Sequence, residues 1–164
     1  MTWLLDTNVL VNAKRDYYGF EFCPAFWEWL DIANAVGTVR SVERVYDGLL
    51  ERGDELSDSA HTRRAFFLSL TADDIPAIAE ANRWATDSPD YDPAGKDAFA
   101  DVADSFLVAQ AKAGRHKIVT HERISDGRKQ IKIPNAAAAR GVDWCTPFHM
   151  LKVERPRFVL ERAS

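Results

Sequence analysis

The chain has 164 residues, 46% hydrophobic and 28% charged, with 21 Lys+Arg against 25 Asp+Glu and a formal net charge of -4. That length suits one domain over 1–164 with a core that needs no staples, and 5 Trp, 4 Tyr and 9 Phe exclude a disordered chain. The negative sum excludes a general basic coat for nucleic acid, though not a local basic patch.

Trp3-Leu4-Leu5 is a short apolar run stopped by Asp6, read as a buried strand. Asn8 to Ala13 opens a helix or extended turn, and 37–41 makes a second short strand before a helical stretch from Val42 to about Glu55. Helical patterns follow over 61–70 and 73–86, the second with Asp73 and Asp74 at an acidic N-terminus. Pro89, Pro93 and Gly95 make 86–96 a loop. A helix is expected over 99–113, stopped by Gly114, and a third strand over 116–120. After a polar turn at Ser125-Asp126-Gly127, residues 128–133 are expected to pair back as a hairpin arm. Ala136 to Arg140 is a short helix ended by Gly141, and Val142 to Cys145 a last strand. Strands alternating with helices predict an α/β fold, layered α/β/α around a mostly parallel sheet.

Cys23 and Cys145 are far apart with no CxxC pair, which suits a reducing compartment and opposes a disulfide scaffold or cysteine-based zinc site. Both are expected to be packing residues. The histidines form no HExxH, and neither a Gly-rich phosphate loop nor a Ser-His-Asp arrangement is present. The opening MTWLLDTN has no basic leader, and no apolar run is long enough to span a membrane. The expectation is a cytoplasmic protein without membrane contact.

The acids carry the chemistry. Ligands in open α/β sheets bind at the carboxyl edge of the strands. Asp6 ends the first strand, Asp47 follows the second, Asp101 and Asp104 open the 99–113 helix, and Glu122 follows the third strand. Within that helix Asp101 and Asp104 are spaced to share a face, with Val102, Phe106, Ala109 and Ala113 on the buried one. Each acid alone has an ordinary reading as a turn former or a helix N-terminal residue. Four segments converging on one rim do not. Clustered carboxylates repel by roughly 1 kcal/mol per pair even in watery surroundings, so such a cluster suits a hard cation. All-oxygen ligation favours Mg²⁺ or Mn²⁺, and a carboxylate-held divalent ion suits phosphodiester hydrolysis.

Leu5-Asp6-Thr7-Asn8-Val9-Leu10 resembles the opening strand-turn of PIN-domain ribonucleases, which include the toxins of VapBC-type toxin–antitoxin pairs. Val102-Ala103-Asp104-Ser105-Phe106-Leu107 resembles their third-acid helix, and Val119-Thr120-His121-Glu122 the strand end carrying the fourth acid. Phe22 to Trp27 and Ile131-Lys132-Ile133-Pro134 are similar to a PIN-like family known only as a domain of unknown function. The resemblance covers most of the chain. It implies a Mg²⁺/Mn²⁺-dependent ribonuclease with acids at Asp6, Asp104 and Glu122, Asn8 as a supporting or water-binding residue, and Thr120 as a hydroxyl near the fourth acid. It also implies an antitoxin partner and frequent homodimers. Two departures stand out. Glu122 replaces the usual Asp, and Gly48 occupies the slot of the second acid, which leaves Asp47, one residue earlier, or Glu43, one turn earlier, to substitute.

Charge is divided along the chain. From Asp87 to Asp104 six acids accompany one Lys, whereas from Lys112 to Lys132 seven Lys/Arg accompany two acids. Arg123, Arg128, Lys129 and Lys132 thus form either a phosphate-gripping strip beside the acids or a solvated arm. Tyr17 to Leu30 contains seven aromatics, suited to core packing, to stacking unpaired bases or to a partner interface.

The reading is an endoribonuclease, the toxin of a toxin–antitoxin pair, with Asp6, Asp47, Asp104 and Glu122 as metal ligands and Asp101 orienting water or a second ion. The alternative is a catalytically degenerate PIN-like module that binds RNA or protein. A phosphatase of the haloacid-dehalogenase type, suggested by LLDTNVL, is set aside because Asn8 stands where that chemistry requires Asp.

Overall fold

The computed structural model describes residues 1–162; the last two residues of the domain expected over 1–164 lie outside the described residues. Among the described residues five parallel strands form one sheet: β1 (Trp3–Leu5), β2 (Val39–Val42), β3 (Phe67–Leu68), β4 (Lys117–Val119) and β5 (Trp144–Cys145). Their order is β3-β2-β1-β4-β5. β1 runs beside β2 (Trp3 opposite Val39) and β4 (Leu5 opposite Val119), and its three side chains are all buried. A strand covered on both faces reads as an unbroken apolar run, which is why Trp3-Leu4-Leu5 shows no alternation.

The flanking helices are α1 (Thr7–Asn12), α2 (Pro24–Ala35), α3 (Glu43–Leu50), α4 (Glu55–Thr62), α5 (Ile75–Asp87), α6 (Pro93–Asp101), α7 (Ala103–Gly114), α8 (Ile133–Arg140) and α9 (Pro147–Glu154). They complete the three-layer α/β/α architecture. The chain steps from β1 to β2 and β3 on one side, then returns to place β4 against the other side of β1. Strand order therefore reverses between β1 and β4, and the crevice above their carboxyl ends is where such sheets place ligands.

Several local expectations change. The helix expected from Val42 to about Glu55 ends at Leu50, and α4 begins at Glu55 behind Asp54, whose carboxylate accepts from Ser57 N at 3.0 Å. The helix expected over 61–70 is instead the end of α4, a 3-10 turn over Arg64–Phe66 and the edge strand β3. Burial of Phe66 and Phe67 and pairing with β2 outweigh helical preference there. Pro93 stands in the first turn of α6 rather than in a loop, a position where its missing N–H costs nothing.

The single helix expected over 99–113 is two. Val102 is extended (φ -97°, ψ 175°) between α6 and α7. The break turns Ala100 O toward the buried Ser105 hydroxyl, which donates to it at 3.4 Å. Asp101 and Asp104 therefore belong to different helices, and Val102 and Ala113 are exposed rather than part of a buried stripe. Residues 128–132 form no hairpin arm. They lie across the start of α6, with Asp92 N donating to Arg128 O at 2.8 Å. Gly95 permits this approach, since a Cβ there would stand 2.8 Å from Lys129 O.

Candidate functional site

Asp6 leaves β1 and precedes the first turn of α1, and its backbone N–H donates to Val119 O at 2.9 Å. That bond continues the β1–β4 ladder one step past the strands, so the carboxylate sits at the reversal point of strand order. The side chain is 3% exposed. Burial raises its pKa to about 6; the Thr120 hydroxyl, donating to Oδ2 at 2.9 Å, opposes the rise, and the charge of Glu122 adds to it.

Asp104 occupies the first turn of α7 and is half-buried. Its pKa rises to about 7, through burial first and then the charges of Asp6 and Glu122, with Lys132 opposing. Two acids 98 positions apart thus stand in each other's field, near a third. Glu122 is anchored differently. Its Oε2 accepts from Ile133 N, the first residue of α8, at 2.7 Å, and its Oε1 lies 4.0 Å from Lys132 Nζ. The carboxylate therefore satisfies an orphan helix N–H at the positive end of α8.

The remaining expected residues divide. Thr120 is fully buried and accepts from Glu122 N at 3.1 Å while donating to Asp6. Asn8 is exposed on α1, at the rim beside Asp6. Glu43 begins α3 at the carboxyl edge, but its carboxylate pairs with Arg64 and accepts from Leu70 N at 3.4 Å. Asp47 is exposed on α3 and is not among the charges that shift Asp6 or Asp104. Asp101, also exposed, ends α6 and is likewise absent from those charges. Hydrogen bonds and mutual charge link Asp6, Asp104, Glu122 and Thr120, whereas Asp47 and Asp101 are exposed on α3 and α6 and Glu43 is paired with Arg64.

Within the basic strip, Arg128 is tied to Pro89 O at 3.0 Å and faces Asp92 at 3.6 Å. Arg123 and Lys129 are exposed and pair with no carboxylate among the described residues. Lys132 has a distinct place as the cation acting on Asp104. Its neighbours Ile131 and Ile133 are 2% and 0% exposed, which pins the backbone and directs Lys132 away from the core. The Ile-Lys-Ile alternation carried that signal in the sequence.

Among the described residues no group of three His, Cys, Asp or Glu side chains is arranged to hold a metal ion. The donors nevertheless fit a hydrated hard cation. Mg²⁺ is commonly held by one or two carboxylates, with water and substrate phosphate completing its shell. Asp6 and Asp104 provide two carboxylates that burial and mutual repulsion leave short of positive charge. Also among the described residues, no helix is long and apolar enough to cross a membrane.

Known proteins resemble this chain in two respects. A chain of VapBC2 from Rickettsia felis, solved bound to a DNA fragment from their promoter, superposes with a TM-score of 0.54 at 12% sequence identity, covering 89% of this chain and 98% of that one. No curated protein matches the sequence. The family model described as Domain of unknown function (DUF4411) matches residues 3–158. On that match the chain belongs to the DUF4411 family, and it shares its α/β/α fold with the VapBC2 chain.

Proposed function

We propose that this protein is a Mg²⁺- or Mn²⁺-dependent endoribonuclease, a single domain over 1–164 acting as the toxin of a toxin–antitoxin pair. The observation that carries this reading is the Asp6–Asp104 pair at the strand-order reversal, both acids raised by burial and by neighbouring negative charge. Two such carboxylates, with Lys132 opposing the shift of Asp104, are costly to ionise together unless they hold a cation.

Asp6 and Asp104 hold the ion, with Glu122 beside them. The bound ion supplies Lewis acidity toward the phosphate and lowers the pKa of water. The chain's own residues do the rest. Thr120 fixes the Asp6 carboxylate, and Glu122 is immobilised by the α8 N-terminus. Lys132 offsets phosphate charge at the site, and Arg123, Lys129 and Arg128 grip the flanking phosphates. Asn8, exposed at the rim, hydrogen-bonds water or phosphate. Likeness to a VapBC2 chain supports a cognate antitoxin as protein partner; a second copy of the chain is the other expected partner.

The test is cleavage of an unstructured RNA with Mn²⁺, by wild type and Asp104→Asn. Cleavage by the wild type that stops with EDTA and with Asp104→Asn agrees with the proposal; cleavage indifferent to both refutes it. A second reading, a degenerate module that binds RNA or protein without cutting, is favoured by Asp47 being exposed on α3 and by Gly48 lacking a side chain. It predicts binding that EDTA leaves unchanged and no cleavage.

A further inference from the structure

Three aromatic rings from three separate segments meet at His121, the residue between Thr120 and Glu122. Tyr17 stacks on His121 with centroids 5.7 Å apart and planes at 22°. Phe148, near the start of α9, sets its edge against both, 5.2 Å from Tyr17 and 5.8 Å from His121. Tyr17 is 44% exposed and Phe148 41%. His121 lies between Thr120 and Glu122 in the sequence, so the backbone that carries the ring also carries two residues of the site.

Tyr17 reaches this place through an unusual backbone. Past α1 the chain winds as a π-helix over Ala13–Tyr17, with Tyr18 N donating to Ala13 O at 2.6 Å. Such wider turns are rare and recur at functional sites. Tyr18, next in sequence, stacks on buried Phe26 at 4.3 Å, which anchors the segment to the core and leaves Tyr17 outside. The same short segment thus runs from Asp6 through α1 to the exposed ring.

We infer that Tyr17, His121 and Phe148 form a stacking platform for one unpaired nucleobase of a single-stranded RNA next to the scissile phosphate. This rests on the nuclease reading and adds a substrate class, since a base held inside a duplex cannot reach the rings. Exposed aromatics are the feature by which proteins hold unpaired bases irrespective of sequence. The basic strip begins at exposed Arg123, two residues after His121, and supplies cations for the adjoining phosphates.

Equilibrium binding in EDTA, with fluorescent oligoadenylate and a fully paired RNA duplex as probes, tests this without cleavage. The wild type should prefer the single strand, and Tyr17→Ala and Phe148→Ala should each weaken it about tenfold. Tyr17→Trp should retain affinity. Loss of stacking removes no phosphate contact, so Tyr17→Ala should leave the salt dependence of binding unchanged, whereas Arg123→Ala should reduce it. Unchanged affinity in Tyr17→Ala, or equal affinity for duplex and single strand, overturns the platform while leaving Mn²⁺-dependent cleavage by the wild type intact. Absence of any RNA binding or cleavage by the wild type overturns the nuclease reading and the platform together.

Discussion

The Thr120 hydroxyl donates to Asp6 Oδ2 at 2.9 Å, joining residues 114 positions apart in a fully buried contact. It also accepts from Glu122 N at 3.1 Å, so one hydroxyl sets both an acid at the end of β1 and the turn that carries the next acid after β4. Threonine at this position is thus a positioning residue for the whole carboxylate group.

Thr120→Val keeps the volume and removes the donor. A buried carboxylate that loses its hydrogen-bond partner costs about 1–3 kcal/mol. Urea unfolding should show that loss in Thr120→Val and little change in Thr120→Ser, with Mn²⁺-dependent cleavage falling in the first and retained in the second.

Folded Asp6 titrates at about 6 and Asp104 at about 7, against about 4 in an unfolded chain. Between these values the folded chain holds protons that the unfolded chain has released. Stability therefore falls as pH rises from about 4 to about 7, as both carboxyls ionise in the folded chain. Thermal unfolding in EDTA should give a lower Tm near pH 8 than near pH 5. Added Mn²⁺, which binds the ionised carboxylates, should flatten that difference.

Asp104→Asn removes the repelled charge while preserving shape. At about pH 8 the variant should be inactive yet melt several degrees higher than the wild type, since roughly 1 kcal/mol shifts Tm by about 2–4 °C in a chain of this size. A lower Tm at that pH would show that the Asp104 carboxylate stabilises the fold, contrary to this account.

Gly48 stands where the resemblance to PIN-domain ribonucleases implies a second acid, and a Cβ there meets nothing within 4 Å. Gly48→Glu should therefore fold, gain roughly 0.5 kcal/mol from better helix propensity, and tighten Mn²⁺ binding about tenfold, equivalent to about 1.4 kcal/mol. Asp47→Ala should leave Mn²⁺ affinity unchanged. Titration calorimetry of both variants separates the two positions; a large loss in Asp47→Ala would return Asp47 to the ligand set.

RNA affinity should fall with salt along a slope that reports the phosphate contacts. Arg123→Ala and Lys129→Ala should each reduce that slope by about 1. Arg128→Ala should reduce it less, because its guanidinium already serves Pro89 O and Asp92.

The sheet and its acidic edge were legible in the sequence because strand ends are marked locally. Leu5-Asp6 and Val119-Thr120 switch abruptly from apolar to polar, and β1 and β4 end at Leu5 and Val119. Asp101 was misplaced for the opposite reason. No glycine or proline marks the break at Val102, where α6 and α7 both pack on α5. Lys132 was visible only as one charge in a strip, since its action on Asp104 depends on a fold that joins β4 to the start of α8. The platform was half legible. Tyr17 belonged to a recognisable aromatic run, whereas its pairing with His121 and Phe148 is purely tertiary.

Crystals soaked in Mn²⁺ and measured for anomalous scattering test the central claim most directly. The account predicts a peak at the Asp6 and Asp104 carboxylates, the oxygen donors that would hold a small hard cation. Absence of that peak at a Mn²⁺ concentration that supports cleavage, or a peak confined to Asp47 and Glu43, would contradict it.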